Sequence, residues 1–464
     1  MKDIRDYDLE EYDYRENINE LLKQKDIIVE QQKLIDRYKS ELDAINNSRA
    51  YKLTKPLRYI MNMLRELKSN QSGYIRLVQD VQKTENLTNY KSSYQKDKDF
   101  SKYETDIKTL AFYLPQYHEF KENNEWWGKG FMEWTNTKKS KPRFEGHYQP
   151  RTPHKDIGYY TLDNIETIKK QVELAKRHGI YGFCFYYYWF SGKRLMETPG
   201  DLFLNDKSID FPFCLCWANE NWTRTWDGQE SEVLIKQDYT KKDQKQFIKD
   251  AEKYLKDDRY IKIDGKPLIL VYNPNAIPDF PKMIEEWRKT AREIGIGEIY
   301  ILNKTVLVDD EHKYTKYVDG EFDFPPHGIG HDAAKIKGLP SPKIFDYKRI
   351  VDDIEHLYRE HYPLKPFYYT CTMGWDNSAR RKEGYTVYSN YSLESYYKWL
   401  RVLIEETRRR NPEDKRFMFI NAWNEWAEGT YLEPDEKYGY ANINTLSKAI
   451  FDLPLKENKN RKKK

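Results

Sequence analysis

Phe417-Met418-Phe419-Ile420-Asn421-Ala422-Trp423-Asn424-Glu425-Trp426-Ala427-Glu428-Gly429-Thr430 joins an apolar run to a polar, aromatic turn that holds two carboxylates three positions apart. The run reads as a buried strand, and a strand that ends in a functional cluster is the repeating unit of a parallel barrel, whose sites stand at the C-terminal ends of its strands. Short apolar runs of the same kind recur at 110–114, 182–187, 213–217, 268–272, 299–302, 317–322 and 367–371, with 417–420 as the last. Helical patterns alternate with several of them, at 163–178, 241–255, 280–294, 345–358 and 393–410. Eight strands with intervening helices predict an α/β fold of the (β/α)8 TIM-barrel type.

Strand after strand is followed by side chains suited to sugars: Gln116, Tyr117 and His118; Tyr188 and Trp189; Asn219, Glu220, Asn221 and Trp222 behind Trp217; Trp375, Asp376 and Asn377; and finally Asn424, Glu425, Trp426 and Glu428. In a barrel all of these converge on one rim. Making or breaking a glycosidic bond passes through an oxocarbenium-like state. One carboxyl must handle the proton of the exocyclic oxygen while a second addresses the sugar from elsewhere. Glu425 and Glu428 are the candidate pair, with Trp423 and Trp426 as flat apolar faces for a pyranose ring. Glu-x-x-Glu by itself is a common solvated helix pattern. Such a face is seldom built from two tryptophans, an asparagine and a glycine directly behind an apolar strand, so a catalytic role is the preferred reading. Among the other polar residues, Asp227-Gly228 reads first as a turn. His118, His327 and His331 lack metal-ligand spacing and suit hydrogen bonds to sugar or backbone.

Composition narrows the classes. The 464 residues include 39 Tyr and 12 Trp, an aromatic surplus that fits either a sugar-holding surface or an aromatic core. A net charge of +4 from 79 basic and 75 acidic side chains gives no global field for nucleic acid, which is not expected as a partner. Cys184, Cys214, Cys216 and Cys371 sit in apolar runs with no zinc spacing and read as inert packing. No Gly-rich phosphate loop stands out, so no cofactor and no metal are expected. The start lacks an apolar h-region and no run of eighteen apolar residues occurs, which predicts a cytoplasmic protein that does not span a membrane.

Residues 1–100 differ in kind, without Trp or Cys. Leu21, Ile28, Ile35 and Leu42 recur every seventh position, a short coiled-coil pattern that serves either a partner helix or packing on the main domain. Leu57, Ile60, Met61 and Leu64 then form the apolar side of a basic amphipathic segment, read equally as an interfacial membrane helix or a plain surface helix. The predicted organisation is a helical arm at 1–68, a polar linker at 69–104, the barrel at 105–455 and a basic tail at 456–464. Residues 18–67 offer a contact to a coiled-coil partner or to the inner face of the membrane.

Four motifs carry a family resemblance: Ala111-Phe112-Tyr113-Leu114-Pro115-Gln116-Tyr117-His118; Trp126-Trp127-Gly128-Lys129-Gly130-Phe131-Met132-Glu133-Trp134; Cys216-Trp217-Ala218-Asn219-Glu220-Asn221-Trp222-Thr223; and Asn421 through Thr430. In this order they resemble the WbsX-like family of bacterial surface-polysaccharide (O-antigen, lipopolysaccharide or capsule) biosynthesis, related to glycoside hydrolase family 99, the endo-α-mannosidases. The likeness runs over about 105–450 and does not reach the arm. It implies a barrel enzyme, glycosyltransferase or endo-acting glycoside hydrolase, that acts with retention on an α-linked sugar of an oligosaccharide or lipid-linked glycan. By the same resemblance Glu425 is the base on the sugar's own 2-hydroxyl, and Glu428 the acid and then base. Trp126, Glu133 and Trp134 join the substrate-binding set. For Glu133 and Glu220 a pairing with an arginine such as Arg224 is the competing reading. The hydrolase relatives usually carry His where this chain has Ala427, which puts mannose in doubt. No Asp-x-Asp occurs within 105–450, so metal-dependent transfer from a nucleotide sugar is not supported. A non-catalytic glycan-binding scaffold is the alternative function.

Overall fold

The computed structural model describes residues 94–144, 147–224, 229–306, 313–329, 343–361, 363–381 and 383–455, all within the compact unit Tyr74–Lys464. The barrel wall is built of β1 (Lys108–Tyr113), β2 (Gly182–Phe190), β3 (Phe213–Trp217), β4 (Lys266–Val271), β5 (Tyr300–Lys304), β6 (Gly320–Phe322), β7 in two pieces (Phe367–Tyr368 and Thr370–Thr372) and β8 (Phe417–Asn421). Each stave pairs in parallel with the next in sequence, and β8 pairs with β1. One piece of β7 bonds to β6 and the other to β8, so the ladder returns on itself. Asp323 spans the break, its carboxylate accepting from the Thr370 N–H at 2.6 Å and the Tyr358 hydroxyl at 2.7 Å. Every predicted strand falls on a stave, and the parallel barrel is the observed fold. The sixth is shorter than expected, because Thr315–Tyr317 forms a 3-10 turn and Asp319 accepts from the Ile301 N–H at 2.9 Å through its side chain.

Around the wall lie α1 (Lys121–Trp127), α2 (Glu133–Lys139), α3 (Ile165–Arg177), α4 (Thr198–Asn205), α5 (Lys241–Leu255), α6 (Phe280–Glu293), α7 (Tyr347–Glu360), α8 (Leu393–Arg410) and α9 (Ala441–Ile450). The five predicted helices are α3 and α5 to α8. Each is amphipathic and starts at a side chain that accepts from its first turn: Asn164, Thr240, Asp279, Asp346 and Ser392. Short α1, α2 and α4 give too few turns for a periodic signal. In α9 every residue is buried, so no apolar stripe stands out from a polar one. Between β5 and β6 the described residues hold only the 3-10 turn.

Strand register sorts the core into two layers. Phe112, Tyr186, Phe322, Phe324 and Phe419 face the lumen, where Phe112 lies 5.6 Å from Tyr186, 5.3 Å from Phe419 and 4.9 Å from Phe324 between ring centres. Residues of the opposite parity face the helices: Trp217 packs 4.7 Å from Phe247 of α5 and 5.5 Å from Trp287 of α6. Cys184, Cys214, Cys216 and Cys371 are buried free thiols.

Of the span read as a linker, residues 94–104 lie against the barrel. Gln95 bridges to Gly439, and Phe100 is buried between His178 and Phe451, at 5.7 and 6.1 Å. The arm at 1–68 with its contact residues 18–67, the tail at 456–464, Asp227-Gly228 and His331 lie outside the described residues. Among the described residues no helix is long and apolar enough to cross a membrane.

Candidate active site

Beyond β8 the chain makes a tight hairpin: Asn424–Glu425 pairs antiparallel with Thr430–Tyr431, and Trp426–Glu428 between them is a 3-10 turn. Three residues per turn bring positions i and i+3 to one side, so Glu425 and Glu428 share a face. Gly429 closes the turn with φ 65°, and a Cβ there would stand 2.9 Å from Asp376 Cβ and 3.0 Å from Arg151 Nε. No other residue fits that backbone and that space.

Buried polar contacts fix the turn on every side. Asn424 brackets the backbone of Leu114 at the end of β1: Oδ1 accepts from its N–H at 2.8 Å and Nδ2 donates to its carbonyl at 3.0 Å. Tyr117 donates its hydroxyl to the Asn424 carbonyl. Trp426 stacks on Tyr431 at 3.8 Å and donates Nε1 to Glu433 at 2.7 Å. Glu433 also accepts from Tyr160 and Gln171, both at 2.8 Å. Burial pushes the Glu433 carboxyl up to about 7, against the lowering effect of those donors. Glu133 is fully buried and accepts from the Ala427 N–H at 3.0 Å.

The two candidate carboxyls meet on one arginine. Arg380 donates Nη1 to Glu428 Oε1 at 2.6 Å and Nη2 to Glu425 Oε2 at 2.7 Å, with Glu133 Oε1 at 3.1 Å from the same Nη2. Burial raises the Glu425 carboxyl well above the usual carboxylate range. Arg380 opposes that rise, while Glu428 and Glu133 add to it. Glu428 is raised in the same way, by burial first, with Arg380 and Arg381 pulling down and Glu133 pushing up. Three carboxyls beside one guanidinium in a desolvated place cannot all stay ionised at neutral pH without large cost. Glu425 and Glu428, both raised, are the members of the set that favour holding a proton.

Glu425 and Glu428 open into a cavity of about 370 Å³ at the C-terminal mouth of the barrel. Tyr186, Tyr188, Trp222, Tyr272, Phe324 and Trp375 give it aromatic walls, and Gln116, Glu220, Asn221, His327, Asn377 and Arg381 its polar groups. The Gln116 side chain is buried, and its Nε2 finds no acceptor among the described residues. Glu220 accepts from Asn273 Nδ2 at 2.9 Å. Beside the cavity, Lys304 lies over the Tyr272 ring at 3.6 Å, and burial draws its ammonium down to about 8. Among the described residues no cluster of three His, Cys, Asp or Glu is placed to hold a metal ion.

Of the residues singled out in the sequence, Gln116, Tyr188, Glu220, Asn221, Trp222, His327, Trp375, Asn377, Glu425 and Glu428 line the cavity. The others stand behind it. Trp189 and Trp217 have the outward parity of their strands: Trp189 donates Nε1 to Asp250 on α5 at 2.8 Å, and Trp217 donates to the Trp189 carbonyl at 3.1 Å. Trp423 is buried 5.1 Å from outward-facing Phe183. Trp426 and Trp134 pack on each other at 5.2 Å, and Trp134 donates to the Tyr160 carbonyl at 2.8 Å. The aromatic faces turned to the cavity are therefore those of Trp222, Trp375 and the tyrosines rather than Trp423 and Trp426. Trp126 packs 6.1 Å from Trp222 as its backing. His118 contacts the Pro115 carbonyl at 3.0 Å, the backbone alternative. Asn219 ties two loops, donating to the Asn273 carbonyl and accepting from its N–H, both at 2.7 Å. Asp376 is buried against His147 at 2.8 Å and Gln149 at 2.7 Å. Burial would raise its carboxyl, yet His147 and Arg151 hold it down at about 2. It braces the loop that delivers Arg380.

For Glu133 the arginine-pair reading holds, with Arg380 as the arginine. Sequence reasoning passed over Tyr186, Tyr272, Phe324, Arg380 and Arg381. The first three carry a usable signal, since they share the lumen parity of their staves; Arg380 follows a one-turn 3-10 helix, Asn377–Ala379, and no spacing announces it.

WxcX proteins of Xanthomonas campestris pv. campestris, strains B100 and ATCC 33913, are 39% and 40% identical over 350 residues, which is 74% of this chain and 50% of theirs. The chain thus spans about half the length of the curated relatives it matches. Among solved structures, a glycoside hydrolase family 99 endo-α-mannosidase from Bacteroides thetaiotaomicron aligns at TM-score 0.45 with 15% identity, over 75% of this chain and 96% of that one. A glycoside hydrolase-like protein aligns at TM-score 0.47 with 15% identity, over 79% and 99%. The family profile described as Glycosyltransferase WbsX matches residues 109–446, and the chain belongs to that family.

Proposed function

We propose that this protein is a carbohydrate-active enzyme of bacterial surface-polysaccharide biosynthesis that makes or cleaves an α-glycosidic bond with Glu425 and Glu428. The observation that supports it most is the placement of these two carboxyls, on one guanidinium, at the wall of an aromatic-lined cavity over the barrel mouth. A sugar ring stacked on Trp222 or Trp375 presents its hydroxyls to Glu220, Gln116 and His327 and its anomeric region to the pair.

In this reading Glu425 takes the proton of the sugar's own 2-hydroxyl as that oxygen bonds to the anomeric carbon and the glycosidic bond breaks, giving an epoxide-like intermediate. The incoming oxygen then opens it at the anomeric carbon, Glu425 returns the proton to the 2-oxygen, and two inversions leave the configuration retained. Glu428 protonates the departing glycosidic oxygen and later deprotonates the incoming one. Burial raises both carboxyls, with Arg380 pulling each back, so the pair is suited to hold a proton between them. A 2-hydroxyl that donates to Glu425 and a glycosidic oxygen that accepts from Glu428 favour the proton on Glu428, and binding thereby sets the roles. The substrate is an oligosaccharide or lipid-linked glycan. The arm at 1–68 is proposed to attach the enzyme to the inner membrane face or to a partner helix. Deletion of residues 1–70 that leaves fractionation unaltered removes that part.

The test is turnover of lipid-linked oligosaccharides and free glycans by the wild type, Glu425→Gln and Glu428→Gln. Each substitution is expected to lower kcat by at least about 100-fold, the usual scale for an acid–base group. Turnover unchanged in both refutes the assignment. Calorimetric glycan binding with no turnover of any donor would favour the scaffold alternative.

A further inference from the structure

The chemistry proposed above uses two carboxyls, and the structure holds a third component that the sequence did not announce. Arg380 reaches Glu425 and Glu428 with different nitrogens of one planar fork. It takes a single oxygen from each: Oε2 of Glu425 and Oε1 of Glu428. The second oxygen of each makes no hydrogen bond among the described residues, and both side chains line the cavity. Such a fork fixes the distance and plane of two carboxyls in a way a single ammonium cannot.

We propose that Arg380 is a positioning residue of this site, a yoke that sets the spacing of Glu425 and Glu428, leaves one oxygen of each for the saccharide, and confines the pair to one exchangeable proton. The kinetic consequence rests on the function proposed above; the yoke itself does not.

The charge count explains why one proton suffices. With Glu133 included, three carboxyls face one guanidinium, and Arg381 contributes from further off at Glu428. Tyr117, Tyr186, Tyr188 and Tyr272 stand close by, each held neutral by burial and by the nearby glutamates. Glu220 and His327 in the cavity and Lys304 beside it are further titratable neighbours. A proton that moves from Glu425 to Glu428 leaves the sum unchanged and keeps the guanidinium bonded to whichever carboxyl is ionised. Glu133 has one oxygen on Arg380 and on the Ala427 N–H, and its other oxygen is buried without a partner among the described residues. It therefore anchors the yoke from below while the cavity side stays open.

The first arm of the experiment titrates the carboxyls directly and needs no substrate; the second reads turnover. In full-length protein carrying carbon-13 at the glutamate Cδ, the Glu425 and Glu428 resonances are assigned with Glu425→Gln and Glu428→Gln and followed against pH in the wild type, Arg380→Gln and Arg380→Lys. Removal of the positive charge in Arg380→Gln is expected to raise both apparent pKa values by about 1–3 units, the usual reach of an adjacent guanidinium. Arg380→Lys keeps the charge and loses the fork, so its titration stays within about a unit of the wild type. Its kcat nonetheless falls about 100-fold, as for a misplaced reacting group, with KM little changed. Titration of Glu425 and Glu428 in Arg380→Gln as in the wild type overturns the yoke, whatever the activity. So does full turnover by Arg380→Lys. If Arg380→Gln does not fold, Arg380→Lys alone decides through its kcat. Loss of the proposed chemistry is separate: active Glu425→Gln and Glu428→Gln with a shifted titration would sink the reaction and keep the yoke.

Discussion

Asn424 offers the sharpest test of how the site is held. Its side chain meets both main-chain groups of Leu114, donor to carbonyl at 3.0 Å and acceptor to N–H at 2.8 Å, and both residues are almost fully buried. Asn424→Ala leaves a buried N–H and a buried carbonyl without partners. Each such orphan costs about 1–3 kcal/mol, so the sum is about 2–6 kcal/mol, a large share of the stability of an ordinary domain. Asn424→Asp separates the two bonds. A carboxylate still accepts from the N–H but sets an oxygen against the Leu114 carbonyl, so the acid is forced toward its neutral form and its folded pKa rises above the unfolded value. The contribution of the protonated acid is then full below about pH 3.9 and is lost as pH rises through the folded pKa. Asn424→Asp is therefore close to wild type in acid and increasingly destabilised toward neutrality. Urea unfolding followed by tryptophan fluorescence, at several pH values and with slopes compared, measures both effects. An unfolding free energy for Asn424→Ala within about 0.5 kcal/mol of the wild type, the range of an ordinary surface change, would refute the bracket.

Two further outcomes follow from the same shell of contacts. Glu433, raised by burial from 4.5 to about 7, contributes stability below about pH 4.5 that is lost as pH rises through 7, at a slope of up to about 1.4 kcal/mol per pH unit. Glu433→Gln should remove that share of the pH dependence, leaving the parts due to Asp323, which burial also raises to about 7, and to the raised Glu425 and Glu428; an unchanged slope between pH 4.5 and 7 counts against the assignment. Gly429→Ala must adopt φ 65° and place a Cβ 2.9 Å from Asp376 Cβ. The backbone costs about 1–2 kcal/mol and the overpacking about 1–3 kcal/mol, so a thermal melt as high as the wild type's would show that the turn has room to shift.

The sequence by itself determined the barrel. Eight apolar runs long enough for strands, spaced by helical patterns with clear N-caps, admit few other ways to bury their side chains. It also marked the Glu425–Glu428 turn, because two carboxylates and a glycine behind a buried strand make a local pattern. Direction was legible too, had parity been applied throughout: Tyr188 and Trp189 are adjacent on one strand and cannot both face the lumen. Tyr188 lines the cavity, while Trp189 reaches out to Asp250. Only the tertiary structure decided the rest. Trp423 and Trp426 are as aromatic as Trp222 and Trp375, and which of them meets solvent depends on the packing of α2, α3 and the Tyr431 hairpin around the turn. Arg380 lies 45 residues from Glu425 and 247 from Glu133 in sequence, on a loop placed by Asp376. A charge joined to its partners only by chain closure leaves no trace in spacing or composition, because the field that pairs them depends on distance in space and not along the chain.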